Sequence, residues 1–270
     1  MNRRQFCGTF VVLGAQARNL FGVGPSIDET LRAALDLRRI PAVVAKVATA
    51  NDITYAGAFG KRDEESGVNV ASDSIFAIAS MTKAITSAAA MQLVERGKMK
   101  LDEPAAKYLP ALSKLEVLDG FDKATRKPVL RPAAKQVTLK HLLTHTSGFA
   151  YPTWDSNMMT YTQQTAAIPG GTVPAAPTPL MFEPGTRWQY GYSVDWAGRL
   201  VEALSGMTLE QYFQKNIFEP LGMKDTSYIL PSEKFDRMVS LYQRQTDGSL
   251  KQNARALPAR PQAFNGGGGL

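Results

Sequence analysis

Residues 75–97 read IFAIASMTKAITSAAAMQLVERG, apolar or small nearly all the way round a helix except where Ser80 and Lys83 stand one turn apart. A helix without a polar face belongs inside a fold, so this one calls for packed elements on every side. It also raises the question of why an amine is held there. If the helix begins near Ser80, the hydroxyl and the amine share one face and can meet. Its unpaired N–H groups and positive dipole end then point at any oxyanion formed on Ser80. Burial disfavours an ammonium, which makes Lys83 a candidate neutral base for the serine proton. At this level a second reading stays open, because a lysine can also snorkel out of an apolar helix. No other S-x-x-K occurs in the chain.

Other chemistries find less support. One cysteine, Cys7, rules out an intrachain disulfide and a cysteine zinc cluster. His141 and His145 lie four residues apart but lack the carboxylate of H-E-x-x-H, so no metal site is expected. The net charge of +7 is scattered along the chain and reads as a solvated surface, with no nucleic-acid partner. No stretch is long and apolar enough for a membrane span. Arg3, Arg4 and Phe6, a short apolar run over 10–15 and Ala15-Gln16-Ala17 resemble a twin-arginine export signal over residues 1–24. The expected location is therefore periplasmic or otherwise exported, with the cytoplasm as the alternative.

Along the chain, Ser26 caps a first helix reaching Arg39. Two β-prone runs around Asn51-Asp52 form a hairpin. After the apolar helix and Gly97, LDEPAAKYLP reads as a short helix with Asp102 as cap and Pro104 in its first turn. VLDGFDKATRKPVLRPA reads as a surface hairpin, residues 170–179 as a loop, and 194–204 and 209–217 as two more helices. Strands first and helices after, without β-α-β alternation, give an α+β fold. The closing FNGGGGL is a poor end for a domain, since glycines bury little and lose much entropy on ordering.

A serine–lysine pair needs a further proton carrier on a distant element. In FEPGTRWQYGYSVDWAG, Tyr190 and Tyr192 follow the Pro184-Gly185 turn, and a tyrosine there can serve as acid and base. Aromatic packing is an equal alternative for both. GYSVD at 191–195 lacks the second glycine of a nucleophile elbow, and a Ser-His-Asp site using His141 or His145 is a weaker arrangement.

SMTK at 80–83, LLTHTSGF at 142–149, FEPGTRWQYGYSVDWAG at 182–198 and PLGMKDTSY at 220–228 together resemble the serine β-lactamase-like superfamily. Its members include class C β-lactamases, D-alanyl-D-alanine peptidases and family VIII carboxylesterases. Order and spacing match over about residues 26–270, and four motifs in register are far more specific than one. The resemblance implies a central antiparallel sheet flanked by helices, with a mostly helical second lobe. It implies Ser80 as acylated nucleophile, Lys83 as its base and Tyr190 as the catalytic tyrosine, with no cofactor. Tyr192 stands where lactamases and peptidases commonly carry asparagine, so it becomes a substrate-binding residue in a site closer to the esterases and acyl-transferring enzymes. Residues 25–270 would be one incomplete domain, because family chains continue well past a GGGGL-like segment into further strands. The expected substrate is a small ester or lactam. The alternatives are a β-lactamase or D-alanyl-D-alanine carboxypeptidase, and a penicillin-binding module without turnover or an inactive fragment. His145, Asp195 and Trp196 read as structural residues.

Overall fold

The computed structural model describes residues 26–165, 176–254, 258, 260–261 and 263–270. The expected export signal over 1–24 and residues 170–175 of the expected loop at 170–179 lie outside the described residues. In chain order the regular elements are α1 (Ile27–Arg38), β1 (Ala42–Ala48), β2 (Ile53–Asp63), β3 (Val68–Asn69), α2 (Thr82–Glu95), β4 (Glu116–Phe121) and β5 (Pro128–Pro132). There follow α3 (Leu139–Leu143), α4 (Ser156–Thr165), α5 (Ser193–Ser205), α6 (Leu209–Phe213), α7 (Glu219–Leu221), β6 (Tyr242–Arg244) and β7 (Leu250–Gln252). The mixture is α+β, and the chain divides into two compact units.

The first unit combines Met1–Phe76 with Ser232–Ala256. Ser26 caps α1 as expected: its hydroxyl accepts from the Glu29 N–H at 3.2 Å, and Glu29 accepts from the Ser26 N–H at 2.7 Å. The helix lies on the antiparallel sheet β1-β2-β3, where Tyr55 donates to Asp28 at 2.8 Å and the Arg32 guanidinium sits 4.2 Å from the Phe59 ring centre. The Asn51-Asp52 hairpin forms as expected, its turn held by the Thr49 hydroxyl accepting from both N–H groups. In the same unit β6 pairs with β7, and buried Asp63 ties that hairpin to β2 by accepting from Ser240 and from Gln252 at 2.9 Å.

The second unit, Ala77–Pro231 with Leu257–Leu270, is organised round α5. Eight of its residues are buried, among them Val194, Trp196, Leu200 and Val201, and it packs against α2 and α3. The apolar segment of α2 is not buried all round, contrary to the expectation. Thr82, Thr86, Ala89, Ala90 and Leu93 face inward, while Met81, Ala84, Ala88 and Met91 are exposed. Small residues on the buried face let α5 approach, and an exposed alanine loses little because it has so little apolar surface.

Two further expectations are corrected. LDEPAAKYLP is two 3₁₀ turns, Ala105–Lys107 and Pro110–Leu112, because Pro104 is drawn into extended pairing with Thr138. Asp102 caps nothing there; it pairs with Lys140 at 3.3 Å on the surface. The second correction concerns FNGGGGL, which packs into this unit. Gly266, Gly267 and Leu270 are buried. Thr86 donates to the Gly266 carbonyl at 2.7 Å, Tyr228 to the Asn265 carbonyl at 2.6 Å, and Ile78 N–H to the Leu270 carbonyl at 2.8 Å.

At Gly266 and Gly267 nothing larger fits. A Cβ on Gly266 would stand 2.6 Å from the Val194 carbonyl oxygen and 3.1 Å from the Gly198 Cα, both backbone atoms that cannot step aside. Gly266→Ala is therefore expected to lower stability by about 1–3 kcal/mol through overpacking, read as a lower urea midpoint with an unchanged m-value.

Candidate active site

Ser80 lies in the 3₁₀ turn Ala79–Met81 that leads directly into α2, which begins at Thr82, two residues after the start expected near Ser80. Ala79 takes φ 46°, a left-handed conformation uncommon outside glycine, and this turn presents Ser80 outward. The turn is braced by Thr82, whose hydroxyl donates to the Ala79 carbonyl at 2.7 Å and accepts from the Leu270 N–H at 3.2 Å.

From the next turn Lys83 reaches back, its Nζ 3.2 Å from the Ser80 Oγ. The amine has two further partners, the Gly267 carbonyl at 2.7 Å and the Tyr151 hydroxyl at 3.4 Å. It also stands 4.8 Å from the centre of the Tyr190 ring. Thus Ser80, Lys83 and Tyr190 come together at one place.

Tyr190 is carried by a loop that runs beside the LLTHTSGF segment. Met181 N–H donates to the Gly148 carbonyl, Gly185 N–H to Thr146 and Gln189 N–H to His145, at 2.8, 2.8 and 2.9 Å. A side chain at Gly148, which has φ 99°, would meet the Phe182 carbonyl at 2.6 Å, so this approach requires glycine. The spacing of the two motifs therefore records backbone pairing. Burial pushes the Tyr190 hydroxyl up, but hydrogen bonding to Lys83 and Ser80, with the lysine charge, outweighs it and leaves the phenol below its ordinary value.

Tyr192 sits elsewhere than the sequence reading put it. Its side chain is only 4% exposed and packs edge-on against Tyr151, ring centres 4.3 Å apart, at the start of α5. Burial raises its hydroxyl, and nothing in this placement offers it to a substrate. The polar group that reaches Lys83 in this region is Tyr151.

Tyr151 and Asp195 are the residues that sequence reasoning missed. The Tyr151 hydroxyl donates to Asp195 Oδ2 at 3.1 Å, while Asp195 Oδ1 accepts from the Gly267 N–H at 2.9 Å. Burial raises the Asp195 carboxyl, against the pull of the Gly267 N–H, the Lys83 charge and the Tyr151 hydroxyl. Burial and the carboxylate hold the Tyr151 phenol far above its usual range, so it stays protonated. A signal existed for Asp195: a carboxylate within the apolar run of SVDWAG is the same anomaly as Lys83 within α2. Tyr151 had no such mark.

The histidines serve the frame. His141 completes a capping box on α3, its Nδ1 accepting from the Thr138 N–H at 3.3 Å. His145 takes φ 55° and lays its ring 4.9 Å from that of Tyr190. Among the described residues no group of three His, Cys, Asp or Glu could hold a metal ion, and no helix is long and apolar enough to cross a membrane.

Burial first, and then the Lys83 charge, push the His145 imidazole down to about 4 from 6.5. The unfolded chain then binds a proton below pH 6.5 that the folded chain refuses until about 4, so stability is full above the window and falls as pH drops through it. His145→Asn tolerates the left-handed backbone and cannot titrate. Urea midpoints measured from pH 7 to pH 4 should fall less steeply in the variant than in the parent.

This arrangement has counterparts among known proteins. A family model described as Beta-lactamase matches residues 27–270. The chain is 36% identical to the monacolin J acid methylbutanoyltransferase of Aspergillus terreus, over 83% of this chain and 57% of that protein. It is 39% identical to the lovastatin esterase of Penicillium rubens, over 75% of this chain and 52% of that one. Among solved structures, a mutant simvastatin synthase from Aspergillus terreus aligns with TM-score 0.78 and 35% identity, covering 92% of this chain and 64% of that chain. The chain thus spans between half and two-thirds of the length of these relatives. With a family model matched over residues 27–270 and a serine, a lysine and a tyrosine gathered at one site, the chain belongs to the β-lactamase family.

Proposed function

We propose that the site forms an acyl-serine intermediate and works as an esterase or acyltransferase on small acyl esters. The observation that carries the reading is the Lys83 amine at 3.2 Å from Ser80 Oγ, beneath the ring of a tyrosine whose phenol is drawn down. Relatives named as a methylbutanoyltransferase and a lovastatin esterase support a short acyl group on a larger alcohol as the substrate class.

The chemistry follows from these placements. Ser80 Oγ attacks the ester carbonyl carbon while its proton passes to Lys83. The bond from that carbon to the alcohol oxygen breaks, and the leaving alkoxide takes a proton through Tyr190, whose lowered phenol exchanges protons readily with the amine beside it. Water or a second alcohol then attacks the acyl carbon, gives its proton back along the same route and releases Ser80. Hydrolysis and transfer differ only in which nucleophile enters last. No cofactor takes part in this scheme.

A β-lactamase or D-alanyl-D-alanine peptidase is the second reading. It is the weaker one because a buried Tyr192 stands where those enzymes commonly present an asparagine amide. The arginine pair near the N-terminus supports export by a twin-arginine route.

The purified chain should hydrolyse p-nitrophenyl butyrate, with release of p-nitrophenol falling to the uncatalysed rate in Ser80→Ala. Tyr190→Phe should lower kcat by about a hundredfold to ten-thousandfold, the usual worth of a general acid-base group. Added alcohol that diverts butyrate into a new ester would mark transfer. Equal rates in the parent and Ser80→Ala would sink the proposal.

A further inference from the structure

Lys83 hydrogen-bonds to Ser80, Tyr190, Tyr151 and the Gly267 carbonyl, and the last two are fixed by the same carboxylate. Asp195 Oδ1 holds the Gly267 N–H at 2.9 Å, and the carbonyl of that same residue accepts from Lys83 at 2.7 Å. Asp195 Oδ2 holds the Tyr151 hydroxyl at 3.1 Å, and that oxygen lies 3.4 Å from Lys83. Four groups close a ring, lysine to glycine to aspartate to tyrosine to lysine, with Ser80 and Tyr190 outside it.

We propose that Asp195 is a positioning residue that aims the lone pair of Lys83 at Ser80. The argument is a count of protons. A neutral amine has two N–H donors and one lone pair, and a tyrosine hydroxyl has a single proton. The Gly267 carbonyl can only accept. Tyr151 has committed its proton to Asp195, so toward Lys83 its oxygen can also only accept. Both N–H donors are thereby used, and the lone pair falls to the remaining side of the amine, where Ser80 and Tyr190 stand and have protons to give. When Ser80 Oγ bonds to the acyl carbon, its proton moves to Lys83, and the ammonium then has three donors for three acceptors.

Without the carboxylate, Tyr151 would be free to donate to Lys83 and capture the lone pair, turning the base away from the nucleophile. The position of the Gly267 carbonyl depends on the same group. A Cβ at Gly267 would stand 2.3 Å from Asp195 Oδ2, so chain and carboxylate are fitted to each other. The inference rests on the acyl-serine reading above, and it adds a residue that touches neither substrate nor reacting atoms.

The test follows acylation of Ser80 by an alkyl fluorophosphonate in the parent, Ser80→Ala, Asp195→Asn, Tyr151→Phe and the double variant. Asparagine keeps the volume but offers an NH₂ where one of the two donors needs an acceptor. The maximal labelling rate of Asp195→Asn should fall on the order of tenfold to a hundredfold, the effect of leaving one buried polar group mispaired, while the half-saturating probe concentration stays unchanged. Tyr151→Phe should show the same split, and the double variant should be no slower than the slower single one, because both act through one contact. Tyr151→Phe leaves the bond between Asp195 and Gly267 in place and so carries the test if Asp195→Asn fails to fold. A second readout needs no chemistry: the Gly267 amide proton should exchange faster with solvent in Asp195→Asn but not in Tyr151→Phe. Labelling of Asp195→Asn and Tyr151→Phe at the parental maximal rate would overturn the inference alone. A parent labelled no faster than Ser80→Ala would overturn the acyl-serine reading and the inference with it.

Discussion

An amine on a half-buried helix face needs hydrogen-bond acceptors brought to it, and the second unit is arranged to supply them to Lys83. The helix itself provides only Ser80, three residues away. Two acceptors arrive from far along the chain, Tyr151 at a separation of 68 residues and Gly267 at 184. Each long-range acceptor must be held by something else, since the backbone and side chains that carry them have no reason of their own to stop at that spot. For both, the holder is Asp195 on α5. The packing of α5 against α2 therefore shapes the site as well as the core, because it places a buried carboxylate opposite a half-buried amine with the acceptors between them.

Local physics explains which parts of this were legible in the sequence. The meeting of Ser80 and Lys83 follows from helix periodicity, and the Ser26 cap and the Asn51-Asp52 turn are settled within four residues. Tyr190 was legible only because its motif matched a known pattern, since nothing within its own segment reveals that His145 and Gly148 grip the loop. Elsewhere tertiary contacts overrode local preference. Pro104 suits a first helical turn, yet pairing with Thr138 straightened it; Met81 and Met91 suit a core, yet only one face of α2 is covered by the described residues. Asp195 near the start of α5 has the ordinary explanation of an acidic residue at a helix N-terminus, and that explanation hid its other use.

Backbone strain is concentrated beside the reacting groups. Ala79 and His145, two of the four non-glycine residues with positive φ among the described residues, stand beside Ser80 and Tyr190 respectively. Such conformations persist only where surrounding bonds over-determine them. At Ala79 the determinants are Thr82 and Leu270, which bond to each other and to the backbone on either side of the turn. At His145 they are the Gln189 N–H and the Tyr190 ring. Ser80 and Tyr190 are thus each presented by a bend that the chain would not adopt alone.

The segment 264–270 ties these threads together, and its composition is the reverse of what flexibility would suggest. Four consecutive glycines lose more conformational entropy on ordering than any other residues, so their order has to be offset by contacts. The contacts are specific: the Gly266 carbonyl to Thr86, the Gly267 N–H to Asp195, the Gly267 carbonyl to Lys83, and both backbone groups of Leu270 to the turn that presents Ser80. Glycine is required because the segment passes between α2 and α5 at distances where a Cβ would strike the Val194 carbonyl or the Asp195 carboxylate. The same passage supplies one of the amine's acceptors and braces the turn that carries Ser80. Docking of this segment and assembly of the site are therefore one event, because the interactions that offset its entropy are those that orient Ser80 and Lys83.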